Sequence, residues 1–77
     1  MFYIIQLINE KYVGKLFPPM AMGDEELMEA IQHRLVFASE SVCKFVALAY
    51  PGSKVIQLKI RNGGIIRRTI WENSNKE

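Results

Sequence analysis

The sequence predicts an α+β fold: a four-stranded antiparallel or mixed sheet, in the element order ββααββ, with two short helices packed on one of its faces. β-branched and aromatic residues are concentrated at both ends of the 77-residue chain, whereas helical spacing of apolar residues occurs only in its middle. An Asn-Gly pair divides the last apolar run, as in a β-hairpin. We expect one domain over residues 1–71 and a polar tail over residues 72–77.

The first two strands are predicted at the start of the chain. Residues 2–8 are dense in β-formers and apolar on both faces, which indicates a central strand. Asn9 and Glu10 suit a turn, and residues 11–17 alternate as a second strand that closes a hairpin with the first. The proline pair at residues 18–19 ends this strand, because proline cannot donate to a strand ladder.

Two helices are predicted in the middle of the chain. Asp24 is a good N-cap for the first helix, and the acidic residues after it complement the helix dipole. Residues 35–37 form either the end of this helix or a short extended link that buries Phe37. Ser39 is the predicted N-cap of the second helix, and a Pro-Gly pair ends it. The spacing i, i+3, i+4, i+7 predicts that its core face consists of Val42, Phe45, Val46 and Ala49.

The final hairpin has two candidate registers. A two-residue turn at residues 62–63 pairs Ile60 with Ile65 and sets Arg67 opposite Leu58. A three-residue turn that includes Gly64 aligns four isoleucines on the core face, opposite Phe45 and Val46: Ile56, Ile60, Ile66 and Ile70. We expect the three-residue turn, because register follows the hydrophobic pattern and a second glycine suits a bulged turn.

The expected register leaves a basic outer face on the hairpin, and we take four of its residues as the candidate partner-binding site: Lys59, Arg61, Arg67 and Trp71. Cations along a sheet contact phosphates and an aromatic ring stacks on a base, so the set suits a nucleic acid. It equally suits an acidic protein surface, where Arg and Trp are common anchors. The third interpretation is a solvated sheet face, with Trp71 folded back over Ile65.

Charge and core size bear on the partner. Residues 24–40 contain five acidic residues against one arginine, and residues 54–68 contain five basic residues and no acidic one. Such a segregated chain docks electrostatically with a charged partner or with a second copy of itself. A chain this short buries only about 60% of its unfolded surface, and its two hairpins leave a strand edge open. We therefore expect a homodimer at high concentration.

No group of residues indicates catalysis or a bound cofactor. His33 follows Glu29 by four residues but has no second histidine near it, so we interpret it as a surface residue. Cys43, the single cysteine, lies beside the apolar stripe of the second helix and is interpreted as a buried filler. The apolar loop at residues 18–22 either faces a partner or plugs one end of the sheet. We expect no enzyme, no metal and no cofactor.

Composition favours a cytoplasmic protein. The chain is 49% hydrophobic and 23% charged, which is ordinary for a globular protein. No apolar run approaches the roughly 18 residues of a membrane span, and the apolar start lacks the basic leader of a signal peptide. One free cysteine suits a reducing compartment.

The layout resembles small proteins encoded by phages and other mobile elements, in which two strands precede a helix of the form A…F.S…A and a further strand. The resemblance rests on YIIQL…KYVGKLF, VFASES and YPGSKVIQLKI, with Ala30, Phe37 and Ser39 at the recurrent positions. Val42 or Cys43 stands where alanine is more typical. Most such proteins have no assigned activity, and some, including anti-CRISPR proteins, block host defence complexes by binding them. The resemblance implies a non-enzymatic binder.

The function we expect is stoichiometric binding to a protein partner, with inhibition of a host defence complex as the specific version. The alternative is a nucleic-acid-binding module that uses the basic hairpin.

Overall fold

Four antiparallel strands form one sheet in this protein, whose computed structural model describes residues 1–15 and 23–74. The strand order in the sheet is β2-β1-β3-β4. In chain order the elements are β1 (Phe2–Gln6), β2 (Tyr12–Val13), α1 (Asp24–Gln32), α2 (Glu40–Ala47), β3 (Lys54–Arg61) and β4 (Gly64–Glu72). The α+β class and the ββααββ order are confirmed. The loop discussed at residues 18–22 lies outside the described residues.

The two helices lie on opposite faces of the sheet, so the prediction that both pack on one face is wrong. α2 covers one face, whose buried cluster consists of Tyr3, Ile5, Val13, Phe37, Cys43, Ala47 and Val55. α1 covers the other, whose buried cluster consists of Ile4, Leu27, Ala30, Val36, Ile56 and Leu58. We call these sides the α2 face and the α1 face. β1 is apolar on both sides, as expected for a central strand that is covered by a helix on each side.

The link between the helices explains why they separate. α1 ends where Arg34 takes a left-handed φ of 58°, and the chain then runs extended beside β1. Tyr3 and Phe37 exchange backbone hydrogen bonds of 2.8 and 2.9 Å, so the extended link that buries Phe37 is the correct alternative. Neighbouring residues of an extended chain point to opposite sides, and Val36 and Phe37 accordingly enter different clusters. The chain thus passes around the sheet from the α1 face to the α2 face.

Gly14 allows this link to lie against the β2 side of the sheet. The Lys15 N–H donates to the Leu35 carbonyl at 2.7 Å. A Cβ atom on Gly14 would lie 2.0 Å from the same carbonyl oxygen. A larger residue at position 14 would therefore push the link away from β1.

α2 turns a different side toward the sheet than its apolar spacing predicts. Cys43 and Ala47 are fully buried against the sheet, whereas Phe45 is 75% exposed. Small side chains at the contact let the helix lie close to the large side chains of β1 and β3. Of the predicted core face, Val46 alone packs partly against the cluster, and three members are exposed: Val42, Phe45 and Ala49.

The helices begin close to the predicted positions. Gly23, not Asp24, is the N-cap of α1, and its N–H donates to Oε1 of Glu26 at 3.1 Å. Ser39 caps α2 as predicted, and its hydroxyl oxygen accepts from the Val42 N–H at 3.3 Å.

The last hairpin turns in two residues, so the expected three-residue turn is wrong. Asn62 and Gly63 have φ values of 50° and 78°, the pair of positive angles that defines a type I′ turn. Ile60 therefore pairs with Ile65, and Leu58 with Arg67. The twist of this turn matches the twist of the strands, and this local match decides the register over the alignment of four isoleucines. Ile56 and Ile60 lie on the α1 face, whereas Ile66 and Ile70 lie on the α2 face.

A bulge at Ile70 interrupts β4 near its end. Ile56 pairs with Thr69 and Val55 with Trp71, which leaves Ile70 as the extra residue. Ile70 and Trp71 both pack against the α2-face cluster. Simple alternation along β4 would place Trp71 on the α1 face, and the bulge instead places it on the α2 face.

The folded part of the chain continues past residue 71, so the polar tail begins later than expected. β4 includes Glu72, and Asn73 is only 4% exposed. The Asn73 side-chain amide donates to the carbonyls of Ala47 and Tyr50 at 2.9 and 3.1 Å. It thereby binds the end of β4 to the carboxyl end of α2.

Two truncations test how far the core extends along β3. Leu58 is fully buried, so Leu58→Ala should lower the free energy of unfolding by about 2–5 kcal/mol. Ile60 is 45% exposed, so Ile60→Ala should cost roughly 1 kcal/mol. Urea denaturation measures both values. Equal losses would contradict the exposure of Ile60, which lies beyond the last residue of β3 that pairs with β1.

Truncating Asn73 tests the attachment of the chain end. Asn73→Ala removes two side-chain donors to α2 and should cost about 1–3 kcal/mol in urea denaturation. Ser74→Ala is the matched control, since Ser74 is exposed and the hydrogen bonds to the carboxyl end of α2 come from Asn73. A loss no larger than that of the control would show that the tail does begin before Asn73.

Candidate binding surface

The β3–β4 hairpin extends beyond the rest of the sheet. β1 pairs with β3 only as far as Leu58, so residues 59–66 form a two-stranded arm beside which the described part of the chain places no third strand. We call this segment the hairpin arm. Ile60 and Ile66 are each 45% exposed, on opposite faces of the arm. The arm therefore presents an exposed isoleucine to solvent on each of its faces.

Three cations share the α2 face of the hairpin. Alternation from Val55 places Lys59 and Arg61 on this face, and the pairing of Gln57 with Arg68 adds Arg68 to it. All three are exposed. None of them forms an ion pair with another residue in the described ranges 1–15 and 23–74. Their positive charge is therefore available to a partner.

Arg67 lies on the opposite face, so the structure does not bring the four predicted site residues together. Arg67 forms an ion pair with Asp24 at the start of α1, and it donates to the Tyr12 hydroxyl at 3.4 Å. Hydrogen bonding to Asp24 raises the pKa of the Arg67 guanidinium, so the charge stays in place. Arg67 holds α1 to β4 on the α1 face and leaves Arg68 as the arginine beside Lys59.

Trp71 shares the α2 face with Lys59 and Arg61 but stands apart from them. It pairs with Val55, at the base of the hairpin, and its half-buried ring packs against the α2-face cluster. Folding back over Ile65 is excluded, since Ile65 packs on the α1 face. Trp71 serves the core more than the exposed surface.

Arg68 and Ile66 are the residues that the sequence interpretation missed. Both lie on the α2 face, where Ile66 pairs with Lys59. The signal that could have found them is the Asn-Gly pair itself, because its preferred two-residue turn implies this pairing.

The acidic residues lie mostly with α1. Asp24, Glu25 and Glu26 occupy the first turn of α1, where the helix dipole favours them. α1 packs on the α1 face and contacts β4 there. The acidic first turn of α1 thus neutralises Arg67 on the α1 face of the hairpin and leaves the α2 face basic.

The remaining candidate residues do not assemble into a chemical site. His33 is an exposed C-cap residue of α1. Within the part of the chain that the structure describes, no three His, Cys, Asp or Glu side chains lie close enough to hold a metal ion. Cys43 is buried as predicted, and this burial raises the pKa of its thiol to about 12. A thiol in this state is a poor nucleophile.

Comparison with known proteins gives no relative: no protein-family model, curated protein or solved structure matches this chain. Neither described helix, at nine and eight residues, has the length and apolar character needed to cross a lipid bilayer.

The buried thiol gives a prediction for alkaline pH. The pKa of Cys43 is raised in the folded protein, so above pH 9 the thiol ionises in the unfolded chain first. The stability due to burial is complete below pH 9 and is lost as the pH rises from 9 toward 12. The free energy of unfolding of the wild type should fall by about 1 kcal/mol more than that of Cys43→Ala between pH 8 and pH 10. If urea denaturation shows that the wild type and Cys43→Ala lose the same free energy of unfolding between pH 8 and pH 10, the burial of the thiol is contradicted.

Proposed function

We propose that this chain is a small non-enzymatic binding protein that acts stoichiometrically on a protein partner with an acidic surface. The contact surface is the α2 face of the hairpin, with Lys59, Arg61 and Arg68 as its cations. In the specific version, a phage or mobile element encodes the protein, and it inhibits a host defence complex in the cytoplasm. That version is drawn from the sequence resemblance alone.

The observation that supports this proposal is the mixed character of the hairpin arm. Ile66, which is 45% exposed, lies on the α2 face with Lys59 and Arg61 and pairs with Lys59. Exposed apolar side chains beside cations are typical of protein interfaces, where the apolar part supplies affinity and the charges supply orientation. Phe45 and Val42, 75% and 51% exposed on the outer side of α2, add apolar surface to the same side of the molecule.

Nucleic-acid binding is the second candidate function, and the exposed cations of the α2 face favour it. Binding of single strands also uses exposed aromatic rings as stacking platforms. Trp71, the aromatic residue predicted for that role, is half-buried in the α2-face cluster. We therefore rank this function below protein binding.

A charge-reversal triple variant tests the proposed function. Converting Lys59, Arg61 and Arg68 to Glu should abolish capture of the partner from a nuclease-treated extract of host cells, because repulsion replaces attraction. The fold should remain, since exposed charges contribute little to stability. Circular dichroism checks the fold, and quantitative mass spectrometry measures the captured proteins.

The matched control carries the same change of charge at the other edge of the sheet, in Lys11, Lys15 and Arg34. This control should capture the partner as the wild type does. Equal capture of the partner by the wild type, the triple variant and the control would show that the basic surface does not bind the partner. Binding to an oligonucleotide that is lost only in the first variant, and that falls steeply with salt, would favour the second function.

A further inference from the structure

α2 is apolar on the side that faces away from the sheet as well as on the side that faces it. Cys43 and Ala47 are fully buried against the sheet. On the outward side, Val42, Phe45 and Leu48 are each more than half exposed. A helix that is apolar on all sides is ordinarily buried on all sides. The outward side of α2 therefore has the character of a surface that a further molecule covers.

Helical geometry arranges these exposed residues as one stripe, which we call the outer stripe of α2. At about 100° per residue, the buried residues Cys43 and Ala47 lie on the side opposite Phe45. Val42 and Leu48 each lie within about 60° of Phe45, one to its left and one to its right. The Leu48 N–H donates to the Lys44 carbonyl at 3.2 Å, so the helical path extends to this residue. Phe45 is therefore the centre of the stripe and points straight away from the sheet.

The apolar surface continues past the carboxyl end of α2. Ala49 lines an apolar pocket of about 350 Å³ together with Leu7 and the largely exposed Ile8. If a phenylalanine presents about 200 Å², the outer stripe and Ile8 together expose apolar area on the order of 450 Å². A patch of this size marks a contact site, and it is about half of the roughly 800 Å² that each molecule buries in a standard interface. The area suits a weak complex that forms at high concentration.

The outer stripe is complementary to itself when two copies meet in antiparallel orientation. A two-fold axis through Phe45 sets this side chain against Phe45 of the second copy and brings Val42 level with Leu48 of the second copy. Ser41 and Ala49 are exposed and small, and they stand four positions before and after Phe45, so they also come level with each other. Small residues at the two ends of the contact let the helices approach closely. One stripe thus supplies both halves of the interface.

Charge favours a second copy over a foreign protein on this surface. Lys44 is the one charged residue in positions 41–49, and it forms an ion pair with Glu40 of its own helix at 2.8 Å. A neutral surface gives no electrostatic selection of a foreign partner, and it sets no unpaired like charges together when it meets its own copy. Two helix thicknesses, roughly 20 Å, would separate the basic faces of the two hairpins, which exceeds the Debye length of about 8 Å. Repulsion between those faces is therefore screened.

We propose that the outer stripe of α2 is a self-association surface, through which two copies of this chain pair in antiparallel orientation with Phe45 on the two-fold axis. The expected homodimer then forms through a helix and not through a strand edge. The dimer covers Val42 and Phe45, so the cations of the hairpin and Ile66 are the surface that remains for the protein partner. This inference goes beyond the proposed function and does not rest on it.

Sedimentation velocity over a range from about 10 to about 500 µM protein tests self-association. The wild type should pass from monomer to dimer within this range. Phe45→Glu sets two like charges on the two-fold axis and should weaken the dimer by about tenfold or more. Ile60→Glu is the matched control, since it makes the same kind of change at an exposed residue on the α1 face, and it should dimerise as the wild type does.

Circular dichroism should show that both variants are folded, because each replaces an exposed side chain. A wild type that stays monomeric throughout the range would overturn the proposal. So would a dimer that is lost in both variants or in neither.

Engineered cysteines test the antiparallel orientation and keep Phe45 in place. Residue 41 of one copy lies level with residue 49 of the other, whereas either residue is about 12 Å along the helix axis from its own counterpart. The double variant Ser41→Cys/Ala49→Cys should therefore form disulfide-linked dimers under mild oxidation, and neither single variant should. The native Cys43 is fully buried and does not take part. Linkage in a single variant, or none in the double variant, would contradict the proposed pairing.

Self-association and the proposed function fail in different experiments. The charge-reversal triple variant leaves α2 unchanged, so it should dimerise as the wild type does while it loses its partner. A wild type that captures its partner through the basic face but stays monomeric in sedimentation would overturn self-association and leave the proposed function intact. A triple variant that no longer dimerises would show that the hairpin, and not α2, joins the two copies.

Discussion

Asn62 and Gly63 both hold positive φ angles, and the two-residue turn that they form sets the face on which each β4 residue before the bulge lies. A side-chain period of two means that one extra residue in this turn would exchange the two faces of one strand. The turn places Arg68 beside Lys59 and sends Arg67 to the opposite face. There Arg67 meets Asp24, and α1 is held against β4. The separation of basic and neutralised faces is thus a consequence of backbone geometry at two residues.

A second constraint lies along the side of β1 that faces away from β3, where the chain passes from α1 to α2. The backbone bonds between Tyr3 and Phe37 hold this link extended, and Gly14 allows it to approach. Because the link runs beside the sheet, the helices cover opposite faces and bury β1 on both sides. α2 reaches β1 and β3 and leaves the hairpin arm uncovered. The cations on the α2 face therefore remain exposed, and β4 lies at the edge of the sheet farthest from the link.

Element types and their order could be predicted from the sequence, because capping residues, turn residues and local periodicity are local signals. The caps at Ser39 and the turn at Asn62 are examples. Which side of a helix or strand faces the core is set by residues that are distant in the chain. α2 offers apolar residues around most of its circumference, so spacing alone favoured Phe45 over Cys43 as a core residue. The bulge at Ile70 leaves no clear mark in the sequence, yet it decides the position of Trp71. Lys59 and Arg61 were therefore predicted correctly as exposed cations. Arg67 lies on the opposite face from them, and the half-buried Trp71 lies apart from them at the base of the hairpin.

The most direct measurement of the central claim is the pattern of nuclear Overhauser contacts between Hα atoms across the last hairpin. In the two-residue register Leu58 and Arg67 are a non-bonded pair, whose Cα atoms are the closer kind in an antiparallel ladder. We expect a strong contact between the Hα atoms of Leu58 and Arg67, and another between those of Ile60 and Ile65. A strong contact from Leu58 to Arg68, with Ile60 facing Ile66, would return Arg67 to the face of Lys59 and contradict the surface described above.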